Sequence, residues 1–144
     1  MQIKAAVLAA MEVSSPYAAS RPLTVERLEL DPPGPGEVLV RIKAAGLCHS
    51  DLSVINGHRP RPMPMALGHE AAGIVEEVGP VEGAVSESDL KPGDHVVFVF
   101  VPSCGHCEPC TVGRPALCEP GAAANGAGTL LSGARRLHRS TALR

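Results

Sequence analysis

Apolar positions along the chain fall into short runs separated by clusters of proline, glycine and serine. Ile3–Leu8 and Leu23–Leu30 read as β-strands, with Ser14, Ser15 and Pro16 marking the loop between them. Asp31-Pro-Pro-Gly-Pro-Gly36 admits neither helix nor ladder, so the chain must turn there. Beyond it Val38, Val40, Ile42 and Ala44 alternate with Leu39, Arg41 and Lys43, which predicts a strand with one buried face. Ala71–Val78 is a further β-branched run closed by Gly79-Pro80, and Glu87–Asp89 reads as a polar loop. Lys91-Pro-Gly-Asp94 predicts a tight turn into a nearly continuous apolar strand, His95–Val101. Helical periodicity is weak throughout. Leu47–Ile55 fits one short helix, with Leu47, Leu52 and Ile55 on one side and Ser50 or Asp51 near its start. From Gly121 small residues give way to a basic tail containing Arg135, Arg136, His138, Arg139 and Arg144, for which no packed element is predicted. The Ala/Gly-rich and Pro/Gly-rich stretches read as loops. The sum is a mainly β fold, a small barrel or sandwich with many corners.

Composition supports that reading. Fifteen glycines and fourteen prolines serve the turns, and with no tryptophan, one tyrosine and two phenylalanines the core must be built from Val, Ile, Leu and Ala. The 144 residues amount to one domain, which does not accommodate a two-domain enzyme. Thirteen Lys and Arg against fifteen Asp and Glu, scattered without a block of one sign, give no electrostatic footprint for nucleic acid or an anionic membrane. No run approaches the roughly 18–20 apolar residues of a membrane span. The run Ala5–Met11 faintly imitates a leader but is ended by Glu12, so a first strand and a cytoplasmic location are expected.

Four of the five cysteines fall in one segment, Cys104-x2-Cys107-x2-Cys110-x7-Cys118. Thiolates at this spacing on a turning backbone can converge on one cation and complete the four-sulfur shell that zinc accepts. The segment also holds Gly105, Pro109, Gly113 and Pro115 and few apolar anchors, so a metal substitutes for a core. A pair of disulfides fits poorly, because the cysteine count is odd and no convincing leader is present. An iron–sulfur electron carrier is the sharper rival, but a ferredoxin-type run needs its fourth cysteine three residues on and followed by proline. Here Cys118 is further away and Glu119 precedes Pro120.

A second constellation is Cys48-His49-Ser50-Asp51 with Gly68-His69-Glu70. A lone cysteine is usually a small core residue. Together, however, Cys48 and His69 offer a soft thiolate and an imidazole, with Asp51 and Glu70 available to orient them. The chemistry alone leaves open a second metal site or ordinary structural side chains.

The motifs together resemble the N-terminal GroES-like catalytic domain of zinc-dependent medium-chain alcohol dehydrogenases. Those carrying the resemblance are Lys4-Ala-Ala-Val-Leu8, Pro33-Gly-Pro-Gly-Glu-Val-Leu-Val40, Ala45-Gly-Leu-Cys-His-Ser-Asp51, Leu67-Gly-His-Glu70, Gly73-Ile-Val-Glu-Glu-Val-Gly79, Lys91-Pro-Gly-Asp-His-Val-Val97 and the four-Cys segment. It covers residues 1–138, with a structural zinc lobe at about 102–120 and a tail at 139–144. The implied fold is a partly open β-barrel with short helices. The resemblance makes Cys48 and His69 ligands of a catalytic zinc, and Cys104, Cys107, Cys110 and Cys118 those of a structural zinc. Ser50 would touch the substrate oxygen and start a proton relay, Asp51 and Glu70 would support the metal, and His49 would face the cofactor pyrophosphate. The implied reaction is hydride transfer between a small alcohol or aldehyde and NAD or NADP, with zinc as Lewis acid.

The sequence also departs from that pattern. A third protein ligand for the catalytic zinc, usually cysteine, would fall beyond Arg144. Gly126-Ala-Gly128-Thr-Leu-Leu131 lacks the third glycine of a dinucleotide fingerprint. The outer relay position is Ser53 rather than histidine, and His58 is out of register. The expectation is therefore a truncated catalytic half that lacks the cofactor domain and most subunit contacts, and that does not oxidise alcohols by itself. NAD or NADP would bind only in a full-length enzyme. The alternative is a zinc-binding remnant or interaction module without catalysis.

Overall fold

The computed structural model describes residues 1–80 and 89–139. In chain order the elements are β1 (Gln2–Leu8), α1 (Tyr17–Ser20), β2 (Leu23–Leu30), β3 (Val38–Ala45), α2 (His49–Ile55), β4 (Met65–Leu67), β5 (Ala71–Val78), β6 (His95–Val97), α3 (Glu108–Thr111), α4 (Glu119–Ala127) and β7 (Leu137–Arg139). A 3-10 turn, Pro115–Leu117, separates α3 from α4. Apart from Asp89, the polar loop expected at Glu87–Asp89 lies outside the described residues.

The strands form two antiparallel sheets, ordered β4-β1-β2-β7 and β3-β5-β6. β1 and β2 pair without interruption from Gln2 opposite Glu29 to Leu8 opposite Leu23. The β3–β5 ladder shifts register between Leu39 and Val40 and again between Ile42 and Ala44. Such irregularities bend a strand and sharpen its twist, which curls the small sheet into part of a barrel. The turn at Lys91-Pro-Gly-Asp94 is closed by Asp94 Oδ2, which accepts from the Lys91 backbone N–H at 2.9 Å.

The residues that position the candidate site sit on a compact apolar seat. Leu8 is fully buried against Val54 and Ile55, and Met11, Tyr17, Met63, Met65 and Leu67 pack around them. Burying each of these aliphatic side chains contributes about 1.5–3 kcal/mol. The seat clamps the C-terminal half of α2 against β1 and β4. The first turn of α2 is left at the surface, with Cys48, Ser50 and Asp51 half-buried.

Four expectations are corrected by the structure. The strand predicted over His95–Val101 ends at Val97; Phe98 makes one further ladder bond, its N–H donating to Ala71 O at 2.8 Å. The chain then leaves the sheet, and Asn125 Nδ2 donates to Phe100 O at 3.0 Å. Apolar character alone did not distinguish a strand from a segment whose aromatic rings line a cleft.

The buried face expected on β3 is only partial: Val38 and Val40 are half-buried, while Ile42 is 47% exposed and Ala44 is exposed.

The Ala/Gly-rich stretch is helical rather than loop. Cys118 caps α4 by accepting from Gly121 N–H at 3.3 Å, and Gly128 ends it in the left-handed conformation, φ 67°. Gly121 is also where a side chain could not fit, because a Cβ there would collide with the backbone carbonyl of Pro102.

The basic tail is packed as far as Arg139. β7 extends the larger sheet beside β2; within it Arg139 bonds Glu26, and just ahead of it Arg136 bonds Glu37. A three-residue ladder flanked by charge pairs carries no apolar periodicity that could reveal it.

Candidate functional site

The first of two sites is the lobe between β6 and α4. Cys104, Cys107, Cys110 and Cys118 are all unpaired, and their sulfurs lie within 4.8 Å of one another. The Cys107–Cys110 and Cys107–Cys118 sulfur separations are 3.5 Å and 3.8 Å. Tetrahedral zinc with bonds of about 2.3 Å requires sulfurs roughly 3.8 Å apart, so these residues fit a four-thiolate ion.

Local backbone geometry explains the convergence. Gly105 and Gly113 take positive φ at the turns, and N–H groups point inward: Cys104 and Gly121 donate to Cys118 Sγ, and Cys107 donates to Cys104 Sγ. N–H groups of His106 and Cys107 hold the Cys104 thiol down at about 6 against its ordinary 9. Desolvation and the neighbouring Cys107 push Cys110 up to about 11. A cluster of thiols in which one ionises readily and another resists is what a crowded sulfur shell produces before a cation neutralises it. Within residues 102–120 Cys118 alone is buried, so the lobe has almost no hydrophobic core of its own.

The second site forms where the first turn of α2 meets the loop between β4 and β5. Cys48 caps α2 reciprocally: its sulfur accepts from Ser50 N–H at 3.5 Å, while Asp51 Oδ2 accepts from the Cys48 N–H at 3.2 Å. The exchange holds Cys48 and turns Asp51 back toward the start of the helix. Asp51 Oδ1 then lies 3.3 Å from His69 Nδ1. On the other side of the ring, Ser50 Oγ is 3.3 Å from Nε2. A proton on Nδ1, shared with Asp51, leaves the Nε2 lone pair facing Ser50 and the cleft; a carboxylate behind an imidazole orients metal-binding histidines in this way.

Glu70 is brought to the same place by the backbone, with Gly46 N–H donating to Glu70 O at 2.8 Å. Its side chain lies directly over Gly46, where a Cβ would strike Oε2. One donor atom each from Cys48, His69 and Glu70 falls within 4.8 Å of the others, so the three could hold a metal ion.

A cleft of about 300 Å³ opens onto this cluster, lined by Cys48, Ser50, Arg59, His69, Glu70, Phe98 and Phe100. Phe100 meets the His69 ring edge-on with centroids 4.8 Å apart, and the Arg59 guanidinium stands 4.7 Å from the Phe100 centroid. A smaller recess of about 80 Å³ continues past Ser50 and His69 to Arg61 and Asn125.

The structure therefore brings together Cys48, Ser50, Asp51, His69 and Glu70 as one group and the four clustered cysteines as another. His49 is exposed and lines neither cavity. Gly126 lies within α4 and Gly128 caps it, so that glycine pair lacks the strand-to-helix turn of a dinucleotide site. Sequence reasoning missed Arg59, Arg61 and Phe100. Two arginines in a proline-punctuated loop just ahead of His69 were a readable signal, since Arg59-Pro-Arg-Pro-Met-Pro64 cannot be helix or strand interior.

Residues 34–139 match the family described as the alcohol dehydrogenase GroES-like domain. An NDMA-dependent alcohol dehydrogenase from Amycolatopsis methanolica is 45% identical over 139 residues, which is 96% of this chain and 34% of the relative. Among solved structures, an alcohol dehydrogenase zinc-binding domain protein from Burkholderia ambifaria superposes with a TM-score of 0.77 at 37% identity, over 97% of this chain and 34% of that one. Benzyl alcohol dehydrogenase from Acinetobacter calcoaceticus gives 0.75 at 33% identity, over 97% of this chain and 35% of that one. The chain spans about a third of the length of these relatives.

Proposed function

Because the chain belongs to the alcohol dehydrogenase GroES-like domain family, we propose that it provides the metal and substrate half of a zinc-dependent alcohol–aldehyde oxidoreductase. The observation that carries this reading is the convergence of Cys48, His69 and Glu70 with Asp51 fixed behind the imidazole and an open cleft in front. A zinc ion held by those three residues would supply Lewis acidity at neutral pH. The chain's own residues do the rest. Asp51 holds His69 in the tautomer that presents Nε2. Ser50 sits at the cleft end of the ring, where its hydroxyl can accept a proton from a bound alcohol while giving up its own to solvent at the mouth of the cleft. Phe98 and Phe100 wall one side of the open cleft with apolar surface, against which the carbon part of a substrate can lie.

The described residues supply no cradle for a dinucleotide, so no step is assigned to a cofactor on this chain. The hydride acceptor, NAD or NADP by family analogy, belongs to the remaining two-thirds of a protein of the relatives' length. His49, exposed at the start of α2, would meet it from this side.

Zinc content tests the reading. The purified chain should bind about two zinc ions, one per cluster, and Cys48→Ala should reduce this to about one while leaving the four-cysteine lobe loaded. A single zinc in the unaltered chain, insensitive to Cys48→Ala, would favour a zinc-binding module without a catalytic centre. A coloured, iron-containing protein would overturn both readings in favour of an electron carrier.

A further inference from the structure

Arg59 and Arg61 occupy a place that the metal cluster does not explain. Both are half-buried and both line the recess that reaches Ser50 and His69. Arg59 also lines the larger cleft, lying over Phe100. Its backbone is fixed by a bond from its N–H to Ser53 O at 2.8 Å, which ties the arginine to α2. Arg61 donates only to neutral acceptors, Pro60 O at 2.9 Å and Asn125 Oδ1 at 2.8 Å. Among the described residues neither guanidinium has a carboxylate partner, whereas Arg41, Arg136 and Arg139 each have one.

Two cations held side by side in partial burial repel each other and lose hydration. Desolvation and the nearby Arg59 charge both lower the Arg61 pKa. Such a pair is retained at a cost unless an anion compensates it, and planar guanidinium forks match carboxylate and phosphate oxygens. Two carboxylates stand near the cleft. Asp51 is engaged by His69 and the Cys48 N–H, and Glu70 belongs to the candidate ligand set, so neither neutralises the arginines.

The distances define the kind of molecule that fits. Arg59 is separated from the His69 ring by one phenylalanine, so the guanidinium carbon is no further from the imidazole centroid than the two ring separations combined. A small molecule can reach from the metal cluster to the arginines in one span, with its body against Phe98 and Phe100.

We propose that Arg59 and Arg61 form an anion subsite, and that the alcohol or aldehyde taken by this site carries a carboxylate or phosphate group at the end remote from the reacting oxygen. The proposal rests on the metal and substrate reading above and names the substrate class for it. Arg59 and Arg61 determine specificity, and no proton or hydride moves through them.

The test is calorimetric binding to the zinc-loaded full chain, with zinc content measured on each sample. The probes are 4-(hydroxymethyl)benzoate, its methyl ester, and inorganic phosphate. The acid should bind at least about tenfold more tightly than the ester, the gain expected of one good charge-assisted pair. Arg59→Gln and Arg61→Gln should each erase most of that preference, read as the ratio of acid to ester affinity within the same variant, while leaving zinc content unchanged. Phosphate that competes with the acid in the unaltered chain but not in the variants would place both anions in one subsite. Equal binding of acid and ester, or a preference that survives both glutamine variants, would overturn the proposal; the latter would mean that the carboxylate sits on the metal. An arginine-dependent preference in a chain holding only one zinc would sustain the subsite and sink the catalytic-metal reading, so the two can fail separately.

Discussion

Cys118→Ser is expected to empty the four-cysteine lobe of metal and to unfold residues 102–120. Cys118 is fully buried and ties four elements together. Its sulfur lies 3.8 Å from that of Cys107 and accepts N–H groups from Cys104 and from Gly121 in α4, while its backbone N–H closes the 3-10 turn onto Pro115 O. The lobe has no apolar cluster to fall back on: Val112 and Leu117 are 64% and 62% exposed. Zinc binding to a structural thiolate set contributes on the order of 10 kcal/mol, and in a lobe without a core that is folding free energy. Serine is a poor zinc ligand, and its hydroxyl reaches less far than a thiolate. Zinc analysis with amide hydrogen exchange should show the ion lost and protection of the lobe lost with it. β1 and β2, which pair over their whole length away from the lobe, should stay protected. A Cys118→Ser chain that kept its zinc and its protection would show that packing rather than metal holds the lobe.

The legibility of this molecule in its sequence follows the physical signals involved. β1, β2, β3 and β5 appeared where apolar runs and turn residues placed them, because each packs against the core or a neighbouring ladder; α2 begins at His49, two residues later than expected, and leaves Leu47 95% exposed ahead of it. The members of both candidate clusters were also legible. Metal chemistry calls for particular residue types at close spacing in the cysteine lobe, and motif order paired Cys48 with His69 although twenty residues separate them. What stayed hidden depends on partners distant in sequence. β7 pairs with β2, and its Arg139 and the preceding Arg136 bond Glu26 and Glu37, about a hundred positions away. Val99 and Phe100 carry a strand's composition without its pairing, Phe98 making the last ladder bond, and the Phe98 and Phe100 rings line the cleft. α4 lacks an apolar stripe, because small residues let it approach Pro102 and Cys118 closely. The reciprocal cap that aligns Asp51 with His69 was also out of reach, since cysteine is an unusual capping residue.

Glu37→Gln should destabilise the chain by about 2 kcal/mol. The carboxylate joins its own turn at Gly34 to the segment that carries Ser132 and Arg136. Oε2 accepts from Gly34 N–H at 2.9 Å and from Arg136 Nε at 2.8 Å; Oε1 accepts from Arg136 Nη2 and the Ser132 hydroxyl, each at 3.1 Å. Its side chain is 13% exposed and that of Arg136 30%, so solvent weakens the pair but does not dissolve it. A glutamine can keep one acceptor and must turn an NH2 toward donors on the other side, leaving the guanidinium without its fork. The hydrogen bond from Arg136 comes first among the causes that hold the Glu37 carboxyl below its ordinary value, with the Gly34 N–H and Ser132 adding to it against desolvation. Because the folded value is depressed, the unfolded chain binds the extra proton between the two values. The stabilisation is therefore complete above the ordinary glutamate range and is lost as pH falls through the folded value. Urea unfolding of the chain and of Glu37→Gln should differ most at neutral pH and converge on acidification, with β7 the first element to lose exchange protection. Parallel pH profiles with a constant gap would mean that Glu37 acts through shape rather than charge, and that the tail strand is docked by its backbone ladder to β2 alone.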